Sequence, residues 1–245
     1  MACRLYRRWC ENDGRDREAF VYFVVRSGYR DVPPVDENGA PFVRRTTPIH
    51  HAARCEQNHE LVANLFTIYG QSVNYVDPAS GLTHFQVACQ ADCHLDVGRL
   101  LELAPEGGLN PNDCVMPGGQ SPLHWALYRG KEKLAATLLR HGADPTRADG
   151  DGLTALHNVC MGNGDFSMAK LFFVVIDEIQ RPLEIDARDR FGWTPLAWAV
   201  ASLKPCLIDL LFTHGADLSN FVFPSGVNLA IFAQRYMENR RKIFN

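Results

Sequence analysis

No apolar run in this sequence approaches the roughly 20 residues needed to cross a bilayer; VYFVV (21–25) and LFFVVI (171–176) are the longest candidates. The opening stretch, MACRLYRRWCENDGR, is basic but lacks the apolar core and small-residue cleavage site of a secretory signal. Eight cysteines are scattered through 245 residues without the spacing of a disulfide framework, which suits a reducing compartment, cytoplasmic or nuclear. A large excess of positive charge is missing as well. The formal net charge is -3, with only mildly basic ends, so no specific nucleic-acid partner is expected. No G-x-S-x-G elbow occurs, and with it goes the usual exposed serine nucleophile. CQADCH (89–94) places Cys89, Cys93 and His94 near one another. Cys93 falls at an expected turn and no second ligand pair follows, so neither a metal nor a cofactor is expected. VDPASG and DGDG contain pieces of a calcium loop without its terminal glutamate, and the cations of NRRKIF (239–244) read as solvated surface.

What is present is repetition. SPLHWA (121–126) aligns with TPIHHA (47–52), THFQVA (83–88), TALHNV (154–159) and TPLAWA (194–199), with starts 36, 38, 33 and 40 residues apart. A turn with Asp and Gly precedes four of them: DENG (36–39), DPASG (77–81), DGDG (149–152) and DRFG (189–192). A paired apolar step and a glycine follow, as in LLRHGADPTRAD (138–149) and LFTHGADLSN (211–220). This period of about 33 residues, with T-P-L-H at its head and G-A-D after its second helix, resembles the ankyrin repeat.

The physics of the unit is readable from the residues. Thr47, Thr83, Ser121, Thr154 and Thr194 stand just before apolar helical patterns, where a hydroxyl can accept from the free N–H groups of a first turn. Pro48, Pro122 and Pro195 follow at the first helical position, where the missing N–H costs nothing. In the third repeat Leu123, Ala126 and Leu127 mark a short first helix, Gly130 a break, and Leu134, Leu138 and Leu139 a second helix that Gly142 ends. The expected fold is therefore all-α: a solenoid of stacked helix-turn-helix units with hairpin-like fingers.

The expected organisation is one domain over 1–245. A degenerate capping repeat spans 1–35, with Gly28 and Asp31 in the exit positions. Repeats follow over 36–76, 77–112, 113–148, 149–188 and 189–220, and a capping helix with Leu229, Phe232, Ala233 and Tyr236 spans 221–245. Terminal units with one polar face are what keep such a stack in solution. Repeat two reads Thr83, His84, Phe85, Gln86, without the proline or the usual fourth-position histidine, and repeat five has Ala197 for histidine, so the polar network is expected to break twice. The fingers are irregular, with insertions at GAPFVRRTT (39–47) and DEIQRPLEIDARD (177–189).

A closer resemblance rests on RRTTPIHHAAR (44–54), VNYVDPASGLTHFQVACQ (73–90), DARDRFGWTPL (186–196) and ADLSNFVFP (216–224). These blocks are similar to those of a large ankyrin-repeat family found in parasitoid wasps. That resemblance implies binding rather than catalysis, and assigns His50, His124 and His157 to an internal hydrogen-bond network. Larger members carry an F-box-like carboxyl-terminal module. This chain stops at RRKIFN, which argues against the alternative of a ubiquitin-ligase adaptor. An enzyme is the least favoured alternative. The expectation is a monomeric, non-catalytic module that binds a protein partner of unknown identity on a concave finger and first-helix surface. Leu82, Gln90, Tyr128, Arg129, Leu153, Met161, Arg188, Arg190, Phe191 and Trp193 map to that surface, with Trp193 read as either an anchor or packing against Tyr128 or Trp198.

Overall fold

A computed structural model of the chain describes residues 15–39, 41–55, 59–70, 73–103, 109–116, 119–219 and 221. Residues 1–14 of the expected amino-terminal cap lie outside the described residues. So do the expected final helix, with Leu229, Phe232, Ala233 and Tyr236, and the NRRKIF run. The chain divides into two compact units, one up to Leu109 and one from Asn110.

The first unit contains α1 (Arg15–Arg26), α2 (Pro48–Cys55), α3 (His59–Tyr69), α4 (His84–Gln90) and α5 (His94–Glu102). The second contains α6 (Pro122–Arg129), α7 (Glu132–Arg140), α8 (Ala155–Met161), α9 (Phe166–Ile179), α10 (Pro195–Ala201) and α11 (Pro205–Thr213). Most are 7 to 9 residues long. Isolated helices of fewer than about 12 residues are marginal in water, so neighbours must hold them. First helices pack on first helices, α2 on α4 and α6 on α8 on α10; second helices pack on second helices, α1 on α3 and α7 on α9 on α11.

The apolar stripes meet in these seams. Ile49, Phe66, Phe85 and Val97 are fully enclosed in the first unit, as are Leu127, Leu134, Leu138, Leu156, Val175 and Leu211 in the second. Each such side chain contributes roughly 1.5–3 kcal/mol on burial. Helix starts follow the hydroxyl residues. Ser121 Oγ accepts from His124 N at 3.3 Å, Thr83 Oγ1 from Gln86 N at 3.1 Å and Thr194 Oγ1 from Ala197 N at 3.4 Å. Pro48, Pro122 and Pro195 open their helices.

The head of repeat two corrects an expectation. Gln86 Oε1 accepts from Thr83 N at 2.8 Å, as His50 Nδ1 accepts from Thr47 N and His157 Nδ1 from Thr154 N, both at 3.0 Å. The expected break in the first-turn network does not occur there, because a glutamine carbonyl three residues on reaches the same N–H that an imidazole nitrogen does. At repeat five Ala197 brings no such acceptor.

Neighbouring fingers are joined through the backbone. In the first unit Arg45 N donates to Val76 O at 3.0 Å and Val76 N to Val43 O at 2.8 Å. In the second, Arg190 N donates to Asp151 O at 3.1 Å. That approach explains Gly152: its φ is +78°, and a Cβ would stand 2.8 Å from Arg190 N.

Candidate functional site

The fingers of the second unit are rigid turns organised by one carboxylate each. Asp149 Oδ1 accepts from Asp151 N and Leu153 N, both at 2.9 Å. Asp189 Oδ1 accepts from Phe191 N at 2.8 Å and Trp193 N at 2.9 Å, and its Oδ2 accepts from Trp198 Nε1 at 3.1 Å. Charge-assisted bonds of this kind are the strong ones, so the residues they carry are presented in a fixed geometry.

On the last finger the side chains expected at the surface gather. Phe191 is 43% exposed, and the Arg190 guanidinium lies 4.9 Å from its ring centroid. Arg190 also pairs with Asp151 at 2.6 Å, and exposed Arg188 donates to Gly192 O at 3.0 Å. Trp193 is half-buried, its ring centroid 5.4 Å from that of Trp198, so part of it is packing. Arg129 is half-buried with its guanidinium 5.4 Å from the Trp125 ring centroid. In the first unit Leu82 and Gln90 are half-buried.

Three of the expected surface residues are not on the surface. Tyr128, Leu153 and Met161 are at most 2% exposed. Leu153 sits inside its finger, with both backbone groups bonded to Asp149. Tyr128 is closed over by the next turn: Asn163 N donates to its carbonyl at 2.8 Å, and a Cβ on Gly162 would meet its backbone at 2.8 Å. Met161 stands at the end of α8 and is likewise buried. These positions belong to the stacking of repeats, and a partner cannot reach them without opening the fold.

The head histidines are buried structural groups. Because Thr154 N donates to His157 Nδ1, the ring proton sits on Nε2, which donates to Trp193 O at 3.0 Å and ties α8 to the next finger. His50 does the same, with Nε2 lying 3.3 Å from Tyr75 O. The Ser121 hydroxyl is 2.6 Å from His124 Nδ1, a separation that would also suit a nucleophile and its base. His124, however, is 1% exposed, and the same hydroxyl caps α6. Burial pushes the His124 and His157 pKa values down, partly countered by nearby Asp149 and, for His157, by the Trp193 carbonyl and Asp189.

The cysteines of CQADCH are fillers. Cys89 and Cys93 are buried; the Cys93 thiol lies 3.5 Å from His59 Nδ1, and burial with Asp96 and Asp92 nearby pushes its pKa up to about 12. Among the described residues no three His, Cys, Asp or Glu side chains gather at metal-binding distance, and no helix is long and apolar enough to cross a membrane.

Sequence reasoning missed Lys204. Its Nζ donates to Gly162 O at 2.8 Å and Gly164 O at 3.1 Å, joining the turn of the fifth repeat to that of the fourth. Burial lowers its pKa. The only sequence signal is its place just before the helix-opening Pro205.

Residues 123–173 match the family model described as ankyrin repeats (many copies). The all-α fold is that of ankyrin repeats. Relatives agree over the repeats and not over whole proteins. The chain is 29% identical over 140 residues to an ankyrin repeat protein of Rickettsia felis, covering 56% of this chain and 61% of that one. It is 30% identical over 132 residues to another from Rickettsia bellii, covering 52% and 35%. With the palmitoyltransferase AKR1 of Lachancea kluyveri it shares 38% identity over 110 residues, 43% of this chain and 14% of the enzyme. The chain thus spans less than two thirds of these relatives, and only a small part of the palmitoyltransferase. What is shared is the ankyrin scaffold.

Proposed function

We propose that this chain is a non-catalytic protein-binding module, acting as a monomer, that receives its partner on the last finger of the second unit. Arg188, Arg190 and Phe191 make the contact, with half-buried Trp193 beside them. Leu82, Gln90 and Arg129 are secondary candidates. The observation that carries this reading is Phe191: an aromatic ring left 43% exposed on a turn fixed by Asp189. Aromatic and arginine side chains dominate interface energetics, each worth on the order of 2 kcal/mol when a partner buries it. A reducing compartment, cytoplasmic or nuclear, fits the free thiols of Cys89, Cys93, Cys114, Cys160 and Cys206.

The test is affinity capture with wild type and the double variant Phe191→Ala with Arg188→Ala, after denaturation curves establish that both are folded. Partners retained by wild type and lost by the double variant support this face. Retention of every specific partner by the double variant rejects it.

A further inference from the structure

Position 84 departs from the pattern of the repeats. The residue after the head hydroxyl is proline in repeats one, three and five and Ala155 in repeat four; in repeat two it is His84. That imidazole is 0% exposed at the first position of α4. Its Nε2 lies 2.6 Å from Thr47 Oγ1, a hydroxyl that is also 3.0 Å from His50 Nδ1. The ring centroid is 4.8 Å from that of His50, 5.1 Å from Tyr75 and 5.6 Å from Phe66. Nδ1 has no hydrogen-bond partner among the described residues.

A neutral ring leaves one nitrogen unanswered here, whichever tautomer it adopts. An imidazolium has two N–H donors, and the site offers it a single hydroxyl shared with His50. The surrounding charges do not help. From α2 comes His50; just before α2 stands Arg45, its guanidinium 5.8 Å from the Tyr75 ring centroid and already paired with Asp31 at 2.9 Å. The finger carboxylate, Asp77, accepts from Thr46, from Ser80 and from two backbone N–H groups. α3 meets the ring with Phe66, while its His59 bonds Ala91 O at the far end of α4. Asp92 and the α5 carboxylate Asp96 act on Cys93 at that same far end.

We infer that the Thr47, His50 and His84 cluster is an acid-operated latch, in which neutral His84 holds the head of α4 against α2 and protonation releases this pair of repeats. Burial, with His50 and Arg45 nearby, holds the His84 pKa well below its ordinary value of 6.5. The unfolded chain therefore takes up this proton first. The stabilisation is complete above about pH 6.5 and is lost as the pH falls from there toward the depressed folded value. For one proton, the opening equilibrium shifts by at most about tenfold per pH unit within that window.

Hydrogen exchange on the full chain between pH 7 and 5.5, corrected for intrinsic exchange rates, tests this. Two variants remove the titration: His84→Ala keeps the N–H that donates to Tyr75 O at 3.0 Å, and His84→Gln keeps a polar group toward Thr47. The readout is the pH slope of protection, which a uniform loss of stability does not change. In wild type, protection of α2 and α4 falls about eightfold more between pH 7 and 5.5 than in either folded variant. An equal slope in wild type and a folded variant overturns the inference. So does wild-type protection of α2 and α4 that does not fall between pH 7 and 5.5, which decides the matter even if neither variant folds.

Discussion

In the second unit the buried head histidines have carboxylates for neighbours: Asp149 acts on His124, and Asp189 and Asp149 act on His157. In the first unit the buried imidazole of His84 is influenced by His50 and Arg45 instead. Both units use the same helix pairs, but they answer the same burial with charges of opposite sign. The cause is local. Asp77 stands where Asp149 and Asp189 stand before their repeat heads, yet its oxygens are taken by Thr46 and Ser80, while Asp189 remains close enough to act on His157.

Removing Asp189 breaks this comparison most severely. In Asp189→Ala the N–H groups of Phe191, Trp193 and Trp198 Nε1 lose their acceptor in a residue that is 5% exposed. Each unsatisfied buried donor costs about 1–3 kcal/mol, so a total loss of roughly 3 kcal/mol is expected in urea denaturation followed by circular dichroism. Asp189→Asn keeps part of the bonding and removes the charge. Its acid response is the sharper test. The His157 pKa, already lowered by burial, falls further. The loss of stability still begins near pH 6.5 but continues to lower pH, and the second unit comes to behave as the first does. An unchanged acid profile in Asp189→Asn would show that the finger carboxylate has no part in holding His157.

The glycines of the two fingers give a smaller contrast. Gly152 and Gly81 both have positive φ, +78° and +73°, but a Cβ on Gly152 meets Arg190 N at 2.8 Å while one on Gly81 meets nothing within 4 Å. Gly81→Ala should cost about 1 kcal/mol, the strain of a left-handed backbone alone. Gly152→Ala should cost about 2 kcal/mol, because the next finger must also move. Exchange at the Arg190 amide checks the reason as well as the number: faster exchange is expected in Gly152→Ala and not in Gly81→Ala.

Much of this architecture was legible because it is enforced by local chemistry. Hydroxyl residues before apolar runs, proline at helix starts and glycine after helix ends each answer a backbone requirement that any chain must meet. The candidate surface was less legible. Tyr128, Leu153 and Met161 share the polar-edge register of a short helix or finger, and only the neighbouring turn, with Gly162 against Tyr128, shows that they are covered. Lys204 and His84 act across repeats, through carbonyls and a hydroxyl more than 30 residues away, and no periodicity marks such pairs. Gln86 was misread for a related reason: the sequence shows a missing histidine, while the bond requires only an acceptor at that distance.

The smallest expected effect on stability separates folding from recognition on the last finger. Arg190 meets Asp151 at the surface, with its side chain 54% exposed, and exposed pairs contribute about 0.2–1 kcal/mol. Arg190→Ala should therefore lower stability by under about 1 kcal/mol. Phe191→Ala, which removes a ring 43% exposed and beside that guanidinium, should change it by about 0.5 kcal/mol or less. Both are measurable as shifts in the urea midpoint. If either costs several kcal/mol, the finger's aromatic and arginine are structural, like Trp193 on Trp198, and the contrast between a rigid turn and the side chains it displays disappears. If both are near neutral while partner capture is lost, the turn is the scaffold and these two side chains are what it presents.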